Sequence, residues 1–289
     1  MIGLLTGETM LKRIIIDINK LNNGDSIDVF LQNTSYFVSI GTGSFENQDR
    51  FREYADETFL ITDNREAANK AALFNVGIAV YTNGENSPAD FSEALYCIES
   101  ICDMSDRNLE RMFLRAKNLP WTILTTDRCV VREITENDVD RLYEIYSDED
   151  ATRYIEGLYK DRDEEIAYTR DYIKNQYRFY EYGMWIVLDK ATGEIIGRAG
   201  IFDRANQDTL ELGFMFAKEF WGKGIATEVL KAIMEYGKEE LGINSIYAHV
   251  VHENDRSRHL LEKLSFKYIN NVIVEEKSYD RYEADLTEY

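Results

Sequence analysis

The pattern of apolar and polar positions first predicts a stretch of alternating helices and strands. LKRIIIDINKL has helical spacing, and predicts a helix, because its apolar residues are Leu11, Ile14, Ile15, Ile18 and Leu21. SIDVFLQ and YFVSIG predict strands, FENQDRFREYADE predicts a helix, and TFLITD predicts a buried strand. NREAANKAALFNVG and IAVYT then predict a helix and a parallel strand, which complete a short α/β crossover, and SDRNLERMFLRAKN predicts a further helix.

A second stretch of elements begins near Thr126. CVVREI predicts a strand, and ENDVDRLYEIYSD and EEIAYTRDYIKNQYRFYEY predict two helices. MWIVLDKATGEIIGRAGIF predicts a hairpin that turns at Ala191-Thr192-Gly193, and DTLELGFMF predicts another strand. A glycine loop with its helix, the strand SIYAHVV, the helix NDRSRHLLEKLSF and a closing pair of strands follow. This order predicts a mixed sheet flanked by helices.

The best candidate for a linker is Pro120, one of only two prolines. It stands between a helical pattern and a new strand, where a turn is expected. We therefore expect two domains, a smaller α/β accessory domain over residues 1–120 and a second domain over residues 121–289.

The segment WGKGIAT places Gly222 and Gly224 directly before a helix with the apolar face Ile225, Val229 and Ile233. The first N–H groups of a helix have no intrahelical partner, and the helix dipole makes this end positive. Glycines have no Cβ, so a phosphate can approach these N–H groups closely. A plain turn would also explain the two glycines.

Further motifs favour a phosphate site over a plain turn. Trp221-Gly222-Lys223-Gly224-Ile225-Ala226 matches the pattern [Gln/Arg]-x-x-Gly-x-[Gly/Ala], with Trp in the first place. With TDRCVVREITENDV, GEIIGRAGI, LELGF and ENDRSRHLLEKLSF, the region from Thr126 to Tyr289 resembles the GNAT N-acetyltransferases, in particular the subgroup that acetylates the N-termini of ribosomal proteins. The resemblance implies a mixed, mostly antiparallel sheet and an acyltransferase. Such an enzyme moves an acetyl group from acetyl-CoA to a primary amine by direct attack in a ternary complex.

The resemblance also implies how acetyl-CoA is held. The glycine loop would bind the diphosphate, and the strand before it would bind the pantetheine arm through its backbone. Asn254 would contact the same arm and also cap the following helix by bonding the backbone near Ser257. The residues expected to bind the co-substrate are therefore Phe214, Met215, Phe216, Trp221, Gly222, Lys223, Gly224, Ile225, Ala226, Thr227 and Asn254.

The resemblance assigns Glu211 as the group that takes a proton from the acceptor amine, which must be neutral to attack the thioester. A structural or amine-positioning Glu211 is the alternative. The tyrosine that often protonates the leaving thiolate is replaced here by Leu261, which leaves Ser257 as the nearest hydroxyl. Glu156 and Trp185 fall where the family builds the acceptor cleft.

A second resemblance concerns the first half of the chain. FLITDNREAANKAALFNVGIAVYT is similar to the late strand–helix–strand of the haloacid-dehalogenase-like superfamily. The nucleophile motif of that superfamily is Asp-x-Asp, whereas Asp17-Ile18-Asn19 lacks the second carboxylate and lies in a predicted helix. We therefore expect a module without catalytic activity.

The composition limits the kinds of partner that the protein is expected to bind. The net charge of −20, from 53 acidic and 33 basic residues, disfavours a DNA or RNA partner and favours a cationic small molecule or peptide, although an acidic surface also serves solubility alone. The three cysteines lack the spacing of a zinc site or a disulfide framework. His249 and His252 are expected on opposite faces of a strand, so no metal is expected. No signal peptide or long apolar run is present, which predicts a cytoplasmic protein without a membrane partner.

Two rival functions stay open at this point. One is an acetyltransferase of aminoglycosides or polyamines instead of protein N-termini. The other is a sensor that binds acyl-CoA in a catalytically silent domain. The sequence leaves the amine acceptor and the oligomeric state open.

Overall fold

The computed structural model describes residues 10–41, 52–91, 94–204 and 209–288. The chain forms two compact units, Met1–Trp121 and Thr122–Tyr289, and each unit has its own sheet. Within the described residues, no helix combines the length and the apolar composition needed to cross a membrane.

The first unit contains a parallel sheet of five strands with the order β2-β1-β3-β4-β5. Its strands are β1 (Arg13–Asp17), β2 (Phe37–Ile40), β3 (Thr58–Thr62), β4 (Gly77–Tyr81) and β5 (Tyr96–Ile98). Its helices within the described residues are α1 (Ile27–Asn33), α2 (Arg65–Leu73) and α3 (Asp106–Ala116). The β3-α2-β4 crossover and α3 agree with the sequence prediction.

Two elements of the first unit were predicted wrongly. LKRIIIDINKL contains strand β1 instead of a helix, and SIDVFLQ contains helix α1 instead of a strand. Ile14, Ile15 and Ile16 are all buried, so both faces of β1, which is an inner strand of the sheet, are covered. A strand covered on both faces needs a continuous apolar run, and such a run also satisfies helical spacing. Ser26 caps α1 by accepting a hydrogen bond from the Val29 N–H.

The helix predicted over FENQDRFREYADE falls largely on residues 42–51, which lie outside the described ranges. Its last residues, Ala55–Glu57, form a 3₁₀ turn that leads into β3.

Asp17 ends β1 at the carboxyl edge of the parallel sheet. The position of the second motif carboxylate is held by Asn19, whose backbone N–H and side-chain amide each donate to Asp63 Oδ1 at 2.9 Å. Asn83 donates to the other oxygen of Asp63, also at 2.9 Å. Amide groups therefore bind this carboxylate. The absence of phosphatase chemistry in this unit stays a prediction.

The second unit is built on a sheet of eight strands with the order β12-β13-β11-β10-β9-β8-β7-β6. All neighbours pair antiparallel except β10 and β11, which confirms the mixed, mostly antiparallel sheet. The strands are β6 (Thr122–Thr125), β7 (Cys129–Arg132), β8 (Met184–Asp189), β9 (Ile195–Phe202), β10 (Leu210–Phe216), β11 (Ser245–Val250), β12 (Lys267–Val274) and β13 (Lys277–Asp285).

The helices of this unit lie where the sequence predicts them, except for the short helix Glu149–Thr152, which was not predicted. They are α4 (Val139–Tyr146), the short α5 (Glu149–Thr152), α6 (Arg162–Tyr172), α7 (Ile225–Leu241) and α8 (Asp255–Lys263). The chain continues α6 with a π-helical segment, Ile173–Tyr177, and a last helical turn, Arg178–Tyr180.

Alternate residues of β8 contact helical segments on opposite faces of the sheet. On one face, the ring of Trp185 meets Tyr236 of α7 edge to face, with centroids 5.6 Å apart. On the other side, the backbone N–H of Met184 donates to the Tyr172 hydroxyl at 2.7 Å, and the Tyr177 hydroxyl donates to the Met184 carbonyl at 2.6 Å. Both helical layers are thereby fixed to the same strand.

A fork opens between β10 and β11. The two strands pair in parallel at Leu210 with Ile246 and at Glu211 with Tyr247, and the described residues show no further pair between them. On its other side, β10 stays paired with β9 as far as Phe216. The edge of β10 that faces β11 is therefore unpaired beyond Glu211.

The separate core of the second unit leads to a first prediction. A fragment spanning Thr122–Tyr289 should unfold in a single cooperative transition, because a compact unit with its own sheet carries its own buried core. Thermal unfolding followed by circular dichroism measures this. An insoluble fragment, or one that melts without a cooperative transition, would show that the first unit completes the core.

Candidate active site

The glycine loop leaves the start of α7 open. Gly222 and Gly224 have φ angles of +73° and +77°, a left-handed conformation that glycine adopts at little cost. Gly224 is the N-cap of α7, and no side chain caps the helix. A Cβ built on Gly222 would meet nothing within 4 Å. The positive end of α7 therefore faces open space, as a bound anion requires.

Arg128, which directly precedes β7, contacts this loop, and this contact was not predicted from the sequence. Its Nη1 donates to the Lys223 carbonyl at 2.9 Å, and its Nε lies 2.6 Å from Glu228 Oε2 on the first turn of α7. Burial alone would raise the pKa of Glu228, but hydrogen bonds from Thr126 and Arg128 outweigh burial and lower it. The loop is thereby tied to the helix that follows it.

Trp221 joins the loop to the end of β10. Its Nε1 donates to the Phe216 carbonyl at 2.8 Å, and the guanidinium carbon of Arg256 lies 3.5 Å above its ring. This double contact explains why a tryptophan can begin the motif. Arg256 also brings positive charge to the mouth of the loop, and its position directly after Asn254-Asp255, at the start of α8, was the available signal in the sequence.

The backbone of β10 supplies the unpaired groups of the site. Ala217 N donates to the Ile196 carbonyl of β9 at 2.8 Å. Peptide groups alternate in direction along a strand, so those of Phe214 and Phe216 point to the opposite edge, where pairing with β11 has ended. This is the edge at which the resemblance places the pantetheine arm.

The loop, the open edge of β10 and the start of α8 enclose one cavity of about 830 Å³. Most residues expected to bind the co-substrate line it. They are Phe214, Met215, Phe216, Trp221, Gly222, Gly224, Ala226, Thr227 and Asn254, together with Ser257.

Asn254 and Ser257 lie together at the N-terminus of α8. Asn254 Oδ1 accepts a hydrogen bond from the Ser257 N–H at 3.1 Å, which confirms the predicted cap. Leu261, which replaces the tyrosine of the family pattern, is fully buried. Ser257 is thus a hydroxyl on the cavity wall.

Five expected site residues are not among those that line this cavity: Lys223, Ile225, Trp185, Glu156 and Glu211. Ile225 is buried on the core side of α7, and the Lys223 ammonium lies 5.1 Å from the centre of the Phe220 ring. Trp185 is completely buried against α7 and does not line a cleft. Glu156 is exposed and lies 3.2 Å from Lys277 Nζ of the β12–β13 hairpin.

Glu211 stands at the base of the fork and is buried. Its Oε2 lies 2.8 Å from Arg204 Nε and 3.4 Å from His249 Nδ1. Burial alone would raise the pKa of Glu211, but His249 and Arg204 outweigh burial and lower it. A carboxylate held ionised in this way is a weak proton acceptor, so the geometry does not favour the role that the resemblance assigns to it.

His249 is the neighbour of Glu211 that the sequence analysis considered only as a metal ligand. Its side chain is 4% exposed, and neither ring nitrogen has a hydrogen-bond partner. His252 lies beyond the end of β11, largely exposed, with Nδ1 2.8 Å from Asp280 Oδ2. Over the described ranges, no cluster of three or more His, Cys, Asp or Glu side chains could hold a metal ion.

Comparisons with known proteins agree with this geometry. The family profile described as acetyltransferase (GNAT) domain matches residues 128–267. The protein YkkB of Bacillus subtilis (strain 168) is 33% identical over 173 residues, which cover 55% of this chain and 98% of YkkB. The ribosomal protein uS5 alanine N-acetyltransferase of Escherichia coli (strain K12) is 30% identical over 168 residues, which cover 54% of this chain and 84% of that enzyme.

A solved structure shares the fold of the second unit. It is that of a candidate ribosomal-protein-serine acetyltransferase from Vibrio cholerae, with a TM-score of 0.50 and 16% identity over 57% of this chain and 97% of the other. GNAT acetyltransferases take acetyl-CoA as co-substrate and act on amine acceptors. The chain belongs to the GNAT acetyltransferase family and is an acyltransferase.

Proposed function

We propose that the second unit transfers the acetyl group of acetyl-CoA to a primary amine, by direct attack of the amine in a ternary complex. The observation that carries the proposal is the single cavity into which the uncapped start of α7 and the open edge of β10 both face. A diphosphate needs the first feature, and an extended amide-containing arm needs the second.

The residues on the cavity wall fit the chemical groups of acetyl-CoA. The backbone of Gly222 and Gly224 would hold the diphosphate, with Arg256 adding positive charge. The outward N–H and C=O groups of Phe214 and the N–H of Phe216 would hold the pantetheine amides, since the Phe216 carbonyl already accepts from Trp221. When bound, acetyl-CoA supplies the activated acetyl group. The N–H of Phe214 would donate to the acetyl oxygen on which negative charge develops.

The acceptor is proposed to be cationic. The chain as a whole carries a net charge of −20. Such a field attracts an ammonium group. A protein N-terminus is our first choice, because a relative that shares this unit is an alanine N-acetyltransferase of a ribosomal protein. Polyamines and aminoglycosides are the alternative acceptors.

Co-substrate binding is tested by the charge at the start of α7. CoA should raise the melting temperature of the full chain by several degrees, since a ligand at 100 times its Kd stabilises the native state by about 2.7 kcal/mol. Gly224→Asp should abolish this shift, because the new carboxylate would face the diphosphate.

Gly242→Asp is the matched control for this experiment. Gly242 ends the same helix with a φ of +66°, and a Cβ there would meet nothing within 4 Å, so the substitution adds the same charge at a similar backbone cost. This variant should keep the CoA shift. A Gly224→Asp variant that also keeps it would rule out the loop as the diphosphate site.

Acetyl transfer is tested with a panel of amines. Incubation with acetyl-CoA and an alanine-initiated peptide, spermidine or an aminoglycoside should release free CoA thiol with at least one of them, beyond the rate without amine. Thiol detection and mass spectrometry of the acceptor measure this. A chain that binds CoA tightly but acetylates none of these amines would behave as an acyl-CoA sensor and contradict the proposal.

A further inference from the structure

We propose that His249, rather than Glu211, takes up the proton that the acceptor amine loses. Glu211 orients the imidazole and stabilises its positive charge after the proton has moved. This assignment deepens the proposed acetyl transfer and rests on it. Four observations support it: the register of the fork, the burial of His249, the partners of its neighbours and the ion pair of Glu211.

The register places His249 closer to the open fork than Glu211. Glu211 pairs with Tyr247, and the ladder ends there. His249 lies two residues further along the parallel strand β11, level with Gly213, and its side chain is on the same face as that of Tyr247. Met215, the next residue on that face of β10, lines the cavity. His249 is therefore the ionisable side chain at the point where the strands separate.

Burial leaves His249 Nε2 without a hydrogen-bond partner from the protein, while Nδ1 lies 3.4 Å from the Glu211 carboxylate. The side chain of His249 is 4% exposed, and both ring nitrogens are buried without a hydrogen bond. The hydroxyl of neighbouring Tyr247 is also buried without one. A buried polar group without a partner costs about 1–3 kcal/mol, and native proteins contain few of them. A bound amine would supply a hydrogen-bond donor to such a site.

The charged side chains packed around His249 already have ion-pair partners, whereas the imidazole contacts only one charged group, Glu211. From β10 comes Glu211, which is paired with Arg204 at the end of β9. On β11, the Tyr247 ring is 4.8 Å from the imidazole, and on β13 the Tyr279 ring is 5.9 Å from it.

The remaining cation of the cluster is Arg281 of β13, which lies over the Tyr247 ring and forms an ion pair with Glu283 at 2.7 Å. The fixed charges thus have partners of opposite sign, whereas the imidazole has only the carboxylate 3.4 Å from its Nδ1.

The Glu211 carboxylate suits an orienting role better than a basic one. Arg204 and His249 keep its pKa low in spite of burial, so it stays ionised at neutral pH. An ionised carboxylate beside Nδ1 favours the tautomer with the proton on Nδ1, which leaves the Nε2 lone pair free. The same negative charge stabilises the imidazolium that forms when Nε2 accepts a proton.

The proposed reaction moves one acetyl group and two protons. The ammonium of the acceptor gives one proton to His249 Nε2 and becomes a neutral amine. The amine nitrogen forms a bond with the acetyl carbon, the C–S bond breaks, and the second nitrogen proton passes to the thiolate sulfur. The imidazolium then releases its proton to solvent, so the products are the N-acetylated amine, CoA thiol and one proton.

Kinetics of three variants test the assignment in the full chain. His249→Gln keeps an amide near Nε2 but removes its basicity, so kcat at neutral pH should fall by about 10²–10⁴-fold. Glu211→Gln still offers the imidazole an acceptor oxygen, and should therefore lose less. His252→Gln is the control, since His252 is 70% exposed and paired with Asp280, and it should keep the wild-type rate.

Two further readouts separate a proton-transfer role from a structural one. The rate loss of His249→Gln should shrink as pH rises, because more of the acceptor amine is then already neutral. The CoA melting shift should be unchanged in all three variants. A larger loss in Glu211→Gln than in His249→Gln, or a loss in His249→Gln that is the same at every pH, would overturn the assignment.

Nuclear magnetic resonance of the wild-type chain provides a test that needs neither turnover nor a folded variant at His249. The chain has only three histidines, so ¹⁵N ring signals can be assigned with His252→Gln and His259→Gln. We expect the Nδ1–H tautomer for the neutral ring of His249, because the Glu211 carboxylate lies beside Nδ1. The opposite tautomer would overturn the assignment.

The outcomes also distinguish this inference from the proposed function. A wild-type chain that acetylates none of the tested amines overturns the proposed function, and the proton acceptor with it. An active chain whose His249→Gln variant keeps the wild-type rate overturns the assignment to His249 alone.

Discussion

The end of the β10–β11 ladder at Glu211 and Tyr247 is the constraint on which the site depends. Two parallel strands that stayed paired would satisfy each other's peptide groups and leave no place for a ligand. Because they separate, the outward N–H and C=O groups of Phe214 and the N–H of Phe216 need another partner, and the cavity forms along that edge. The other edge of β10 stays paired with β9, so the opening removes hydrogen bonds only between β10 and β11.

The loop after β10 turns this opening into an anion site through two hydrogen bonds and one uncapped helix end. Trp221 bonds the last carbonyl of β10, Arg128 bonds the loop carbonyl of Lys223, and Gly224 begins the helix without a side-chain cap. The first two fix the path of the chain, while the third leaves the positive helix end exposed. A polar cap such as Ser at Gly224 would satisfy those N–H groups internally and would compete with a phosphate.

The sequence predicted the second unit better than the first, for physical reasons. Glycines before an amphipathic helix, an Asn cap at Asn254 and alternating strands are local signals. The run that contains β1 fails as a signal because a strand buried on both faces and a helix both accept continuous apolar residues. The place of His249 beside Glu211 could not be predicted either, because it depends on the register of two strands that are distant in sequence.

Glu211 is a buried carboxylate at the fork, and its charged neighbours determine whether it is ionised. A buried carboxylate without a partner would keep its proton to higher pH, and would then be suited to exchange protons with a substrate. With His249 Nδ1 3.4 Å and Arg204 Nε 2.8 Å away, the pKa of Glu211 is instead lowered, and the carboxyl loses its proton more easily than an ordinary glutamate. Because its pKa is lowered in the folded state, the pair stabilises the fold above the normal titration range of glutamate, and this contribution is lost as pH falls through the folded pKa. The carboxylate is thus fixed as a charge, and proton exchange passes to the neighbouring imidazole, whose nitrogens have no other hydrogen bond.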